Sequence, residues 1–198
     1  MTVYLIVGLG NPGMLYENTR HNFGFRIIKR LAGKYNLDFK KQIKLQAMEA
    51  IGKILDCEVH LLMPLTYMNL SGQAVKKAVD YYKIDIKNIL IVVDDADIDF
   101  EEFRLKDRGK SGGHKGLESI EQHLGTQNYA RLRVGIGRET KELKEFVLDK
   151  FTKEEKEKLL GIEEKAISHI ELWLEKGTQI AANVANTRIK KLQKNNEE

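Results

Sequence analysis

Apolar positions follow two rhythms along this chain. VYLIV at 3–7 and NILIVVDD at 88–95 are continuous runs, as expected for strands buried on both faces. AMEAIGKIL, EVHLLM, the short alternating FRLK and the run RLRVGIG predict further strands, with Pro64 ending the second of these. Between them the spacing turns helical. Phe25, Ile27, Ile28, Leu31, Ala32 and Tyr35 share one face, and so do Ala74, Val75, Ala78, Val79 and Tyr82. HKGLESIEQHLG predicts a helix that starts after a glycine loop and stops at Gly125. From about residue 141 the chain turns helical, with a long stripe from Leu159 to Leu174 and a last segment from Ile180 to Leu192.

Strands alternating with helices predict an α/β fold: a mixed, mostly parallel central sheet flanked by helices, with a helical C-terminus. No repeat, low-complexity tract or proline-rich linker divides residues 1–198, so one domain is expected. Sites in such folds form at the carboxyl ends of strands. GLGNPG, PLTYMNLSG and DDAD each follow an apolar strand, and the glycine loop carrying His114 comes soon after DDAD. All four can therefore meet in one crevice.

Composition excludes several classes. No run approaches the ~18 apolar residues of a membrane helix, and no secretory signal is visible at the N-terminus. Cys57 is the one cysteine, which rules out an internal disulfide, fits a cytoplasmic protein and reads as a small buried hydrophobe. The formal net charge is +4. Arg104, Lys106, Arg108 and Lys110 are clustered, Arg131 and Arg133 alternate along a strand, and RIKKLQK is basic again, a distribution suited to an anionic partner.

Two motifs invite chemistry that their surroundings do not support. GLGNPG matches the dinucleotide pattern G-x-G-x-x-G. However, Pro12 and MLYENTRHN separate it from the next helix, and no acidic residue stands at the distance needed to bind a ribose. The glycines instead shape a loop holding Asn11 at the strand end. Asp95, Asp97 and Asp99 have the spacing of a calcium loop, but Phe100 and Lys106 replace its obligatory glycine and glutamate. No metal and no cofactor is expected.

The remaining candidates are His21, Asp94, His114, Asn11 and Asn69. A neutral imidazole can act as general base near neutral pH, and a carboxylate can fix its tautomer. His21 precedes a helix, whose N-terminus disfavours a charged ring. Asp94 is the first polar residue after a buried strand. No serine sits in a nucleophile elbow, which favours attack by activated water over an acyl-enzyme. On the residues alone, His114 can equally be a helix cap, and the asparagines can be turn formers.

Taken together, LIVGLGNPG, YENTRHNFG, PLTYMNLSG, VVDDADI, SGGHKGL and RLRVGIG resemble, in order and separation, the bacterial-type peptidyl-tRNA hydrolases. The resemblance implies a monomeric cytoplasmic enzyme without a cofactor. Its reaction would be hydrolysis of the ester joining peptide to the 3′-terminal ribose of tRNA. By the same match His21 would be the base, and Asp94 its orienting partner. Asn11 would distinguish a blocked amino group from a free one. Tyr16, Tyr67 and Asn69 would contact the substrate end, with His114 lining the crevice. Lys106 and Arg133 would hold tRNA phosphates. Two positions depart from the family: Lys115 stands where asparagine is usual, and Asp99–Glu101 replace a proline- and glycine-containing loop. A non-catalytic RNA-binding protein on the same fold is the competing expectation.

Overall fold

The computed structural model describes residues 2–138 and 142–187. The chain runs β1 (Val3–Gly8), α1 (Phe23–Lys34), β2 (Lys40–Gln42), β3 (Ala47–Ile54), β4 (Cys57–Pro64), α2 (Ser71–Tyr82) and β5 (Ile89–Asp95). It continues through β6 (Phe103–Lys106), α3 (Lys115–Leu124), β7 (Ala130–Gly135), α4 (Leu143–Leu148), α5 (Lys153–Lys176) and α6 (Thr178–Ala185). The basic RIKKLQK stretch, and with it the end of the segment expected to reach Leu192, lies outside the described residues.

The seven strands form one sheet in the order β2-β3-β4-β1-β5-β7-β6. β4, β1, β5 and β7 are parallel, while β2, β3 and β6 join antiparallel at the margins. The continuous apolar strands lie at the centre because both faces are covered. Along β5, Leu90 and Val92 face the core under α1 and α5, whereas Ile89, Ile91 and Val93 face the core under α2 and α3. At the β6 edge, Asn186 accepts from the Leu105 N–H at 2.7 Å and donates to its carbonyl at 3.0 Å, closing backbone groups that an open edge would expose. Cys57 is half-buried rather than fully enclosed, because it heads β4 where the β3–β4 hairpin turns.

Helix α1 lies unusually close to the sheet. A Cβ on Gly24 would come within 2.5 Å of both the Leu9 nitrogen and the Val92 carbonyl oxygen, and one on Gly8 within 2.4 Å of the Gly24 oxygen. Only glycine at both places lets the helix start press onto the carboxyl end of β1. That contact brings the preceding residues, Thr19–Asn22, over the strand ends.

Candidate active site

The glycine-rich loop after β1 is closed by its own hydrogen bonds. Asn11 N–H donates to Asn22 Oδ1 at 2.8 Å, and Asn22 Nδ2 donates back to the Asn11 carbonyl at 2.9 Å. Leu9 N–H donates to Val92 O at 3.0 Å. Two of the loop's backbone donors, at Leu9 and Asn11, are thus already used within the fold. Met68 N–H donates to Asn11 Oδ1 at 2.8 Å, which settles the orientation of that amide. Its Nδ2 is left facing the cleft.

Asp94 is the penultimate residue of β5, with its side chain only 2% exposed. His21 Nδ1 lies 3.1 and 3.0 Å from its two oxygens, and His114 Nε2 lies 3.2 Å from Oδ1. The tautomer of His114 follows from its other nitrogen. Nδ1 accepts from the N–H groups of Gly116 and Leu117 at 3.2 and 3.4 Å, capping α3. The neutral ring therefore carries its proton on Nε2 and donates it to Asp94. His21 likewise donates Nδ1–H to the carboxylate, and its Nε2 has no partner among the described residues. The two rings sit 4.9 Å apart between centroids.

Electrostatics separates the two imidazoles. Burial favours neutral rings in both. For His21 the Asp94 charge and hydrogen bond outweigh burial, so its pKa is raised. For His114 burial wins, and the ring stays neutral more readily than a free histidine. Burial pushes the Asp94 carboxyl up, but the His21 charge and the hydrogen bonds from both rings hold it well below the usual carboxylate range. The expectation that a helix N-terminus keeps His21 uncharged is thereby corrected: the carboxylate at 3.0 Å is the stronger influence.

His21, Asp94 and His114 could by composition gather around a metal ion. Two of their lone-pair positions are instead filled by protons. Ligation through His114 Nε2 would require that nitrogen to give up its proton while Nδ1 still accepts from two N–H groups. The Asp95–Asp99 stretch is a hydrogen-bonded turn. Asp95 accepts from the Asp97 N–H at 2.8 Å and pairs with Arg133 at 3.0 Å, while exposed Asp97 pairs with Arg138 at 2.9 Å.

The triad opens into a cleft of about 700 Å³. Asn11, Tyr67, Asn69 and Arg133 also line it, so most of the residues singled out in the sequence converge. Tyr67 and Asn69 are exposed on the turn that carries buried Met68. Tyr16 and Lys106 are not among the lining residues. Arg133 is mostly covered: its guanidinium pairs with Asp95 and donates to the carbonyls of Lys110 and Ser111 at 2.9 and 3.0 Å. Arg131, read from the sequence as part of a basic rim, is buried. It points beneath α3 to bond the Gly109 and Gln127 carbonyls, and it stacks 4.2 Å over Tyr129. Lys115 stands at the cleft edge and pairs with Glu118 at 2.9 Å.

One wall was not foreseen. Leu143, Val147 and Leu148 of α4 give the cleft an apolar side. The sequence marks this stretch only as helical.

A sequence model of the peptidyl-tRNA hydrolase family matches residues 5–195. The chain belongs to the peptidyl-tRNA hydrolase family. A peptidyl-tRNA hydrolase of Clostridium novyi is 43% identical over 93% of this chain and 98% of its own length. One from Shouchella clausii is 46% identical over 87% and 94%. The crystal structure of peptidyl-tRNA hydrolase from Acinetobacter baumannii superposes with a TM-score of 0.88, at 38% identity, covering 93% of this chain and 95% of that one. Peptidyl-tRNA hydrolases are thus similar to this chain in sequence and in fold along nearly its whole length.

Proposed function

We propose that this chain hydrolyses the ester between peptide and the 3′-terminal ribose of peptidyl-tRNA, with His21 activating the attacking water. The observation that carries the mechanism is the pairing of His21 Nδ1 with buried Asp94, which leaves Nε2 as the basic nitrogen in an open cleft. Water bound at Nε2 loses its proton as its oxygen attacks the ester carbonyl. The imidazolium so formed is stabilised by Asp94, and its proton then goes to the departing ribose oxygen. A positioned base of this kind contributes roughly 10²–10⁴-fold.

His114 holds Asp94 from the other side and, remaining neutral, adds no second positive charge. The amides of Asn11 and Asn69 can pair with peptide backbone without reading side chains. The exposed ring of Tyr67 offers a stacking surface beside them. A free aminoacyl ester lacks the peptide carbonyl and N–H these amides would meet, and unpaired polar groups then oppose its binding. Lys106 and Tyr16, outside the cleft, are suited to the tRNA body. Arg133 contributes through the loop it braces as well as by its charge. Family membership and the intact His–Asp pair both speak for turnover, and no feature favours an RNA-binding protein without it. We further propose that residues 1–198 work as one domain, as a monomer in the cytoplasm. Among the described residues no helix is long and apolar enough to cross a membrane.

The test is release of the acyl group from N-acetyl-aminoacyl-tRNA. Release well above the buffer rate is expected, and release equal to the buffer rate would leave only a binding protein.

A further inference from the structure

Arg20 immediately precedes His21, yet its side chain is only 3% exposed. Its guanidinium donates from Nη1 to the Lys150 carbonyl at 2.9 Å and from Nη2 to Glu155 Oε2 at 2.7 Å. One face lies 4.4 Å over the ring of Phe146, with Phe151 at 5.4 Å. The backbone joins the same region. Arg20 N–H donates to Asp149 O at 3.0 Å, and Thr19 forms an antiparallel bridge with Lys150.

These partners all lie in α4, the link to α5, or the first turn of α5. Phe146 of α4 is buried and is not among the residues lining the cleft, while Leu143, Val147 and Leu148 of the same helix form the cleft's apolar wall. Glu155 is itself fixed: Oε2 also accepts the Thr152 N–H at 2.7 Å, and Glu155 N–H donates to Thr152 Oγ1 at 3.2 Å, the capping box of α5. A single side chain thus ties that cap, that wall and the residue next to His21 into one unit.

We propose that Arg20 is a positioning residue that sets the spacing between His21 and the α4 wall of the cleft. It touches no reacting atom. It acts by holding the surface against which the acyl group rests at a fixed distance from the base. Only a planar guanidinium can bond two acceptors on separate residues while stacking on Phe146; an ammonium keeps the charge but loses the fork and the face. The proposal rests on the esterase reading above, and misplacement by about 1 Å can cost up to ~10²-fold in rate.

The experiment compares Arg20→Lys, Glu155→Ala and the double variant on N-acetyl-aminoacyl-tRNA, with each rate corrected for folded fraction by circular dichroism at the assay temperature. Each single variant should lower kcat about tenfold or more. The affinity for uncharged tRNA and the midpoint of the acid limb of the pH profile should stay at wild-type values, because the His21–Asp94 pair is untouched. The double variant should be no slower than the worse single one, since both cut the same tie. Folded-corrected rates within about twofold of wild type would overturn the proposal. So would a moved pH midpoint, a weakened tRNA affinity, or single effects that multiply. If Arg20→Lys does not fold, Glu155→Ala alone decides by the same readouts. Wild-type hydrolysis in the same assay separates failure of this inference from failure of the esterase reading.

Discussion

Asp94→Asn perturbs the site by replacing one carboxylate oxygen with an NH₂ group that can only donate. The two histidines then compete for the single remaining acceptor. His114 cannot yield easily, because its Nδ1 is held by the N–H groups of Gly116 and Leu117 and its proton must stay on Nε2. The amide oxygen therefore turns to His114, and the NH₂ faces His21 Nδ1. That nitrogen must now accept, which moves the His21 proton to Nε2 and removes the base. Restoring the active tautomer means setting a buried N–H of His114 against the amide N–H, a cost of about 1–3 kcal/mol. At about 1.4 kcal/mol per tenfold, this depletes the active form roughly 5- to 150-fold. Loss of the anion that steadied the imidazolium lowers the rate further, and a comparable swap in a His–Asp pair lowers turnover about 10⁴-fold. The expected fall in kcat is about 10²–10⁴-fold with KM nearly unchanged. Single-turnover hydrolysis of N-acetyl-aminoacyl-tRNA measures it, and nitrogen-15 shifts of His21 report the tautomer. A fall under about tenfold, or an unchanged His21 tautomer, would refute the reasoning.

The raised pKa of His21 predicts that kcat/KM climbs with pH through one ionisation above the model-peptide value of 6.5, because only the deprotonated ring accepts a proton. His114, shifted the other way, adds no second limb there; an acid limb centred below 6.5 would contradict this. The same shift has a stability sign. Pairing of charged His21 with Asp94 stabilises the fold fully below the unfolded pKa and is lost as pH rises through the folded one. His21→Ala should accordingly lower the melting temperature more at about pH 5 than at about pH 9. Arg133→Ala should flatten the salt dependence of tRNA binding by less than one full counterion, since Asp95 already neutralises that charge, and should lower thermal stability by freeing the 109–113 loop. A slope change of one counterion or more with unchanged stability would restore Arg133 to a free phosphate ligand.

How far the sequence disclosed this molecule depended on where each residue's partners lie. β1 and β5 were legible because burial on both faces demands unbroken apolar runs. β2, a polar KKQ, was not, since only its register against β3 makes it a strand. His21, Asp94, Asn11 and Asn69 were legible as types in motifs at strand ends. The contact between His21 and Asp94, 73 residues apart, was legible only through the family resemblance, and the pull of that carboxylate against the helix N-terminus was not legible at all. Arg131 misled most, and Arg20 drew no notice. A charged residue in sequence reads as surface, and what buries Arg20 is an acceptor 135 residues away together with the rings of Phe146 and Phe151. The α4 wall escaped for a related reason: Leu143, Val147 and Leu148 look like any amphipathic turn until the fold sets them across from His21.

The account stands most directly on His21→Ala. Turnover of N-acetyl-aminoacyl-tRNA and affinity for uncharged tRNA should be measured on the same folded sample. Hydrolysis should fall to the buffer rate while the tRNA dissociation constant stays within about twofold, as expected for a base that acts on water. Residual hydrolysis near the wild-type rate, or equal losses of turnover and binding, would contradict it.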